Sequence, residues 1–303
     1  MLSLLPFEAA YWQRVYSRLI ALCDPLPSVI RCPLNQVLDS EIHRIFILWP
    51  VWLSPLLPLP SSIIERLSLA TLCGAWAAAI RDACLDGELT QAAAPLTRAL
   101  WRRSWHLFGT LAVHCELLAD LERRMVAAYR RELAARTHTG SWQPAQLQSL
   151  TAHWVCARAA GWHVVQRAHI MLAGLKLDDP CAIALSAALD ALILARQLRD
   201  DVHDLADDVR AGRASWGVRL IAEAIWRAEG GPALIDTQRI AGRWLIDPAL
   251  RQELASAHAT LCQQAMHALM PYAAYIPRLI DLVMIESEAG RTIATINLLH
   301  LPG

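Results

Sequence analysis

The feature that most constrains the fold is a set of four long segments. Each is rich in helix-favouring residues and has few polar positions on any helix face. They cover residues 62–86, 108–136, 144–174 and 179–209. In the first of them, the stretch LATLCGAWAAAI runs from Leu69 to Ile80 without a charged side chain. A helix that is apolar nearly all round belongs inside a bundle. Because no segment alternates convincingly between apolar and polar residues, the sequence predicts an all-α fold.

The same pattern predicts the shorter helices and the domain organisation. These helices are expected at 8–23, 36–48, 90–106, 215–228, 235–245, 248–270 and 273–298. The 303 residues are enough for one large domain, and the sequence has no internal repeat and no low-complexity linker. We therefore expect a single domain over 1–303, with 1–60 as a less regular N-terminal lead-in.

Charge and hydropathy limit the classes of partner. Lys and Arg number 28, as do Asp and Glu, so the chain lacks the basic excess of a nucleic-acid-binding protein. The mean hydropathy of +0.30 fits a thick core, an apolar pocket or a membrane-facing patch. The most apolar stretch, Ile45–Leu59, is too short to span a bilayer and contains three prolines. We expect it to pack in the lead-in, with peripheral membrane contact as the alternative.

The eight cysteines are scattered and form no CxxC pair. This spacing argues against a zinc site and against a disulfide framework. Free cysteines commonly behave as small buried hydrophobic residues in a reducing compartment, so a cytoplasmic protein is expected.

Five aspartates lie close together at the end of the predicted helix over 179–209. This acidic cluster comprises Asp200, Asp201, Asp204, Asp207 and Asp208. Asp200 and Asp204 are four residues apart and share a helix face, where like charges repel. Mg²⁺ prefers oxygen ligands and typically takes one or two carboxylates together with substrate phosphates. The cluster therefore predicts a site for Mg²⁺ and a diphosphate, although Asp207 and Asp208 fit solubilising surface charges equally well.

A second acidic pair, Asp82 and Asp86, lies at the end of the predicted helix over 62–86. These two residues are also four apart, although such a pair alone is more typical of surface charge. If the two acidic helix ends face each other across a bundle, they can hold a metal–diphosphate cluster between them.

The sequence Gln197–Asp204, QLRDDVHD, resembles the second aspartate-rich motif of trans-isoprenyl diphosphate synthases, Q-hydrophobic-x-D-D-x-x-D. Asp82–Asp86, DACLD, is similar to their first motif, D-D-x-x-D, with Ala83 in place of the second aspartate. The resemblance implies an isoprenoid-synthase-type helical bundle with a deep apolar cavity. The Mg²⁺ ligands that it implies are Asp82, Asp86, Asp200, Asp201 and Asp204.

The resemblance also implies residues that bind the substrate. Arg158 lies near the position of a diphosphate-contacting lysine in the family, and Arg213 is similar to the basic residue that follows the second motif after a glycine turn. Both arginines are the implied catalytic residues, and Gln197 is implied to bind substrate with them. Trp76 and Trp162 could stabilise a carbocation through their ring faces, although a single tryptophan is more often core packing.

The elements expected for a second diphosphate substrate are missing. We find neither a basic G-G-K-like element before the first motif nor an Arg-Arg pair directly after it. The chain is therefore more similar to a class I terpene synthase, and the resemblance implies Mg²⁺-dependent ionisation of a linear prenyl diphosphate by a homodimer, followed by cyclisation or elimination. The alternatives are a prenyltransferase and, because of Ala83, a non-catalytic partner subunit of such an enzyme.

Overall fold

A computed structural model describes residues 3–23, 41–85, 89, 94–113 and 115–295 of the chain. About 80% of the described residues are helical, which confirms the all-α prediction. The helices are α1 (Pro6–Cys23), α2 (Glu41–Leu53), α3 (Ser61–Leu85), α4 (Ala94–Thr110), α5 (Cys115–Ala135), α6 (Pro144–Gln148), α7 (Ala152–Arg158), α8 (Ala160–Leu172), α9 (Pro180–His203), α10 (Leu205–Arg210), α11 (Trp216–Glu229), α12 (Thr237–Ile246), α13 (Pro248–Leu269), α14 (Pro277–Ala289) and α15 (Thr292–Thr295).

Two short strands pair within the described residues. The strands are β1 (Ser141–Trp142) and β2 (Ile235–Asp236), and they run antiparallel, with Ser141 opposite Asp236. Trp142 is fully buried, and its indole N–H donates a 3.0 Å hydrogen bond to the carbonyl of Ala135 at the end of α5. The strand pair therefore fixes the loop that follows α5.

The chain forms two compact units whose segments alternate along the sequence. Unit 1 comprises Met1–Leu121, Gly161–Ser186 and Pro271–Leu279, and unit 2 comprises Glu122–Ala160, Ala187–Met270 and Ile280–Gly303. The expectation of a single domain over 1–303 stays a prediction.

The core of unit 1 is built around α3. Its apolar residues are buried on several faces, including Leu67, Leu72 and Trp76, which are fully inaccessible to solvent. Helix α4 packs closely against α3. At this contact the Ser104 hydroxyl of α4 donates a 2.8 Å hydrogen bond to a backbone carbonyl of α3. Gly74 permits this approach, since a Cβ atom there would lie 3.1 Å from the hydroxyl oxygen of Ser104. An apolar helix thus lies inside its unit, as the sequence predicts.

A buried carboxylate anchors α1 in unit 1. Glu8 has no exposed surface, and its oxygens accept hydrogen bonds of 2.8 Å from Arg278 and from the indole of Trp52. Burial by itself raises the pKa of Glu8, but these hydrogen bonds and the charge of Arg278 together hold the pKa below its usual value. Because the charged group is paired and hydrogen-bonded, its burial is tolerated.

Several predicted helices are shorter or divided. The segment 144–174 is divided into α6, α7 and α8, and α7 begins where the Thr151 hydroxyl accepts a hydrogen bond from the backbone N–H of Trp154. The segment 179–209 is divided at Asp204, which lies between α9 and α10. Apolar composition identified these segments as helical but not their ends. The Thr151 side chain caps α7, whereas Asp204 divides the second segment without a side-chain cap.

Two helical stretches, Ser61–Cys84 and Pro180–His203, have the length and composition of a membrane span. Of their most apolar windows, 61% and 50% respectively lie buried within the protein. The buried core helix of a soluble protein has the same properties, so this feature is weak evidence for a membrane protein.

We predict that His169 makes the stability of the protein sensitive to acid. His169 is fully buried in α8, and its Nε2 atom is 2.8 Å from the carbonyl of Leu57. Burial lowers the pKa of His169 below the 6.5 of a free histidine, with the Leu57 hydrogen bond opposing the shift. Below pH 6.5 the unfolded chain therefore binds a proton that the folded chain excludes, so the free energy of unfolding falls.

Urea unfolding between about pH 7 and pH 5 measures this effect. His169→Gln keeps a donor for Leu57 but does not titrate, so this variant loses less stability on acidification than the wild type. His106→Gln, at an exposed position of the same unit, is the matched control and follows the wild type. Parallel pH profiles for wild type and His169→Gln would contradict the prediction.

Candidate functional site

The motif that the sequence singled out lies at the C-terminal end of α9. Gln197, Asp200 and Asp201 occupy its last two turns, and Asp204 follows directly after it. Most residues of the preceding turns are apolar, and Leu192 there is buried, as is Leu198 beside the motif aspartates. All of these residues belong to unit 2, so the part of α9 within that unit ends in a group of carboxylates.

Asp201 points into unit 2. Only 4% of its surface is exposed, and one carboxylate oxygen accepts a 2.6 Å hydrogen bond from Gln197. The other accepts a 2.7 Å hydrogen bond from the backbone N–H of Gly217, in the first turn of α11. The positive end of the α11 dipole favours a carboxylate at this point. Asp201 thus joins the end of α9 to the beginning of α11.

The environment of Asp201 also changes its acidity. Burial raises the pKa of Asp201 to about 7, although the hydrogen bonds from Gln197 and Gly217 and the charge of Arg158 oppose the shift. The charge of Asp208 adds to the rise. Arg158 and Asp208 therefore lie close enough to Asp201 to act on it electrostatically.

Asp200 and Asp204 differ from Asp201 in being exposed. Half of the Asp200 side chain is accessible, and its carboxylate is 3.5 Å from the Nη2 atom of Arg199. The Asp204 backbone N–H donates to the Asp200 carbonyl, which places the two residues one helical turn apart. The surrounding protein raises the pKa of Asp200 by desolvation, and the charges of Arg199 and Arg196 oppose this rise.

A glycine turn orients Arg213. Gly212 has a φ of +64° and approaches Thr137 so closely that a Cβ atom would lie 2.1 Å from the Thr137 carbonyl oxygen. After this turn, the Nε atom of Arg213 donates a 2.9 Å hydrogen bond to Asp208. Burial raises the pKa of Asp208, and the hydrogen bond and charge of Arg213 oppose the rise. Asp208 is therefore the partner of Arg213, in addition to belonging to the acidic cluster.

Arg158 lies at the end of α7, in the same unit. Its Nε atom is 3.2 Å from a carboxylate oxygen of Glu132, and its guanidinium carbon is 5.6 Å from the ring centroid of Tyr129. Burial raises the pKa of both Asp201 and Asp208, and the positive charge of Arg158 opposes this rise. Of the predicted site residues, unit 2 thus contains Asp200, Asp201, Asp204, Gln197, Arg158 and Arg213.

Sequence reasoning missed a buried carboxylate on α14. Glu286 is 2% exposed, and the Nε atom of Arg199 donates a 2.7 Å hydrogen bond to it. Arg196 and His258 also contact it, at 3.4 Å and 3.2 Å. Burial alone raises the pKa of Glu286, but the hydrogen bonds from His258 and Arg199 hold it below its usual value. The sequence did contain a signal for such a carboxylate. Two arginines, Arg196 and Arg199, lie three residues apart in an apolar helix, and buried arginines require an acidic partner.

The remaining predicted site residues belong to unit 1 or are not described. Trp76 is fully buried in the core of that unit, and Trp162 packs against Phe46, with ring centroids 4.0 Å apart. Asp82 is half-buried near the end of α3, whereas Asp86 lies outside the described residues. The prediction that the two acidic helix ends face each other stays a prediction.

The exposed carboxylates of unit 2 fit a Mg²⁺ ion that also binds substrate phosphates. In the described part of the chain, no three His, Cys, Asp or Glu side chains converge in a group that could hold a metal ion. Asp200 and Asp204 nevertheless provide two exposed carboxylates, the number that Mg²⁺ typically takes together with substrate phosphates. Both oxygens of Asp201 already accept hydrogen bonds, so its role as a metal ligand stays a prediction.

A pocket of about 620 Å³ opens near the other end of α11. Leu220, Trp226 and Leu254 line it, and the ion pair between Arg227 and Glu253, 2.6 Å apart, borders it. The residues that line this pocket include none of the acidic cluster. The deep apolar cavity of an isoprenoid synthase stays a prediction.

The chain matches no model of a known protein family and no curated protein sequence. The likeness to isoprenoid synthases therefore rests on the residues of the two motifs.

We predict that Gly217→Ala destabilises unit 2. A Cβ atom at position 217 would lie 2.8 Å from the Cβ atom of Asp201, so the beginning of α11 must move away from α9. The expected loss of unfolding free energy is about 1–3 kcal/mol, as for other overpacked sites. Urea unfolding followed by circular dichroism measures it.

Gly242→Ala is the matched control, because Gly242 lies inside α12 with no atom within 4 Å of the added Cβ. This substitution should stabilise the helix by up to about 1 kcal/mol. Equal stability of Gly217→Ala and the wild type would show that the close approach of α9 and α11 is not required.

Proposed function

We propose that this protein is a Mg²⁺-dependent class I terpene synthase, which ionises a linear prenyl diphosphate and converts the resulting cation by cyclisation or elimination. The observation that carries the proposal is the pair of exposed carboxylates, Asp200 and Asp204, one turn apart at the end of an apolar helix. They lie within the sequence QLRDDVHD, which resembles the second motif of the isoprenoid synthases.

Each group has a defined part in this proposal. Asp200 and Asp204 would hold Mg²⁺, which when bound supplies Lewis-acid stabilisation of the departing diphosphate. Arg158 and Arg213 would bind the diphosphate oxygens, for which the planar guanidinium is well suited. Both arginines now contact carboxylates, Glu132 and Asp208, which keep them oriented before the substrate binds.

The cation that remains after ionisation requires an environment without water. Aromatic ring faces can stabilise such a cation. Trp76 and Trp162 are buried in unit 1, and their part in stabilising the cation stays a prediction from the sequence.

The cysteines support the proposed cytoplasmic location. Cys73, Cys84, Cys156, Cys181 and Cys262 form no disulfide bond. Free thiols persist in a reducing compartment. We therefore propose that the enzyme acts on prenyl diphosphates in the cytoplasm.

One observation favours a second candidate, a non-catalytic partner subunit of an active synthase. Ala83 is 8% exposed and occupies the position at which the first motif of the family has an aspartate. A carboxylate is therefore missing from α3 at that position, which weakens any metal site built from this helix. Such a subunit would bind a second chain and contribute no turnover of its own.

The candidate functions are distinguished by incubating the purified protein with Mg²⁺ and geranyl, farnesyl, geranylgeranyl and longer diphosphates, with and without isopentenyl diphosphate. Apolar products formed without isopentenyl diphosphate support the terpene synthase. Longer diphosphates that form only in its presence indicate a prenyltransferase instead. Turnover that requires a second protein chain indicates the partner subunit.

We predict that Asp200→Ala and Asp204→Ala each lower the rate of diphosphate release by at least about 100-fold, as expected when electrostatic stabilisation of a leaving group is lost. Asp207→Ala is the matched control, because Asp207 is an exposed aspartate nearby that pairs with Arg210. The control should keep most of the wild-type rate. Near-normal rates for both Asp200→Ala and Asp204→Ala would rule out the metal site.

A further inference from the structure

Arg199 lies between two carboxylates of different exposure. Towards the interior it donates two hydrogen bonds to Glu286, from Nε at 2.7 Å and from Nη2 at 3.3 Å. Towards the surface, the same Nη2 atom is 3.5 Å from the half-exposed carboxylate of Asp200. The guanidinium therefore makes its closer contacts with the buried acid and a looser contact with the exposed one.

The position of this cation matters for any metal bound by Asp200. A guanidinium that pairs bidentately with a carboxylate occupies both oxygens and neutralises the charge that attracts a divalent ion. Arg199 precedes Asp200 in the chain and already contacts it, so it can compete with Mg²⁺ for the same carboxylate.

We propose that Glu286 is a positioning residue that retains Arg199 in the interior and thereby leaves the Asp200 carboxylate available to the metal. The inference rests on the proposed function, because it assumes that Asp200 binds Mg²⁺. It assigns a role to a residue on α14, which lies 86 positions beyond Asp200 in the sequence and outside both aspartate-rich motifs.

The surroundings of Glu286 suit this role, because they fix it in place and compensate its charge. Arg196 and His258 contact its two oxygens from other directions, at 3.4 Å and 3.2 Å. The ring of His258 fits against the backbone of Gly290, where a Cβ atom would lie 2.0 Å from the ring atoms. Glu286 is thus a rigid, buried anion to which Arg199 can remain bound.

Glu286→Gln tests the inference, because glutamine keeps the shape of the side chain and removes its charge. Arg199 should then shift towards Asp200, and binding of Mn²⁺, which favours the same oxygen ligands as Mg²⁺, should weaken. With inorganic diphosphate present, we expect the dissociation constant for Mn²⁺, measured by electron paramagnetic resonance, to rise about fivefold, the scale of a partly exposed ion pair. Glu288→Gln, at an exposed position of α14, is the matched control and leaves Mn²⁺ binding unchanged.

Two further variants separate competition from loss of structure. Arg199→Gln removes the competing cation, so Mn²⁺ should bind at least as tightly as in the wild type. The double variant Glu286→Gln/Arg199→Gln should recover the affinity that Glu286→Gln loses. If Glu286 and Arg199 were needed only for folding, Mn²⁺ would bind more weakly to all three variants. That result would overturn the inference, and it can be recognised from the other two variants even if Glu286→Gln alone failed to fold.

The same measurements separate this inference from the proposed function. If the wild type binds Mn²⁺ and Asp200→Ala does not, while Glu286→Gln binds as the wild type does, only the role of Glu286 is overturned. If the wild type itself fails to bind Mn²⁺ with diphosphate, both the metal site and the role of Glu286 are overturned. Weakening by Glu286→Gln together with recovery in the double variant supports both.

Discussion

The hydrogen bonds that the buried carboxylate of Asp201 accepts hold together the part of unit 2 on which the proposed chemistry depends. Through Gln197 and the backbone N–H of Gly217, this carboxylate joins the end of α9 to the beginning of α11. An aspartate buried in this way is costly unless both oxygens are hydrogen-bonded, and here both are. With Asp201 turned inwards, its neighbours Asp200 and Asp204 are left at the surface with their carboxylates exposed.

Charge compensation explains how an apolar helix can end in so many ionised groups. Arg199 shares its contacts between Glu286 and Asp200, and Arg213 contacts Asp208. Glu286 and Asp208 thus each have a partner of opposite sign, as low-dielectric surroundings require. The same pairing orients basic groups beside the carboxylates, an arrangement suited to an anionic ligand that arrives with a divalent cation. Structural and proposed catalytic roles therefore involve the same side chains.

Helix content was predictable from the sequence, but helix limits were not. Apolar composition identified 144–174 and 179–209 as helical, and the residues there are largely helical. The breaks at Thr151 and Asp204 escaped prediction because the first depends on one capping contact and the second on local backbone angles, and neither leaves much trace in a hydrophobic pattern. The glycine turn at Gly212 was visible as a motif, whereas its close fit against Thr137 was not.

The sequence by itself determined that the chain is helical and that carboxylates gather at the end of an apolar helix, because both properties follow from spacing along one element. Only the tertiary structure decided which aspartate turns inwards and which acid retains Arg199. Glu286 is separated from Arg199 by 87 residues, and no periodicity within α9 or α14 can pair them. Such partners are selected by the packing of distant helices, since a buried charge must find its counter-charge wherever the fold brings one within reach.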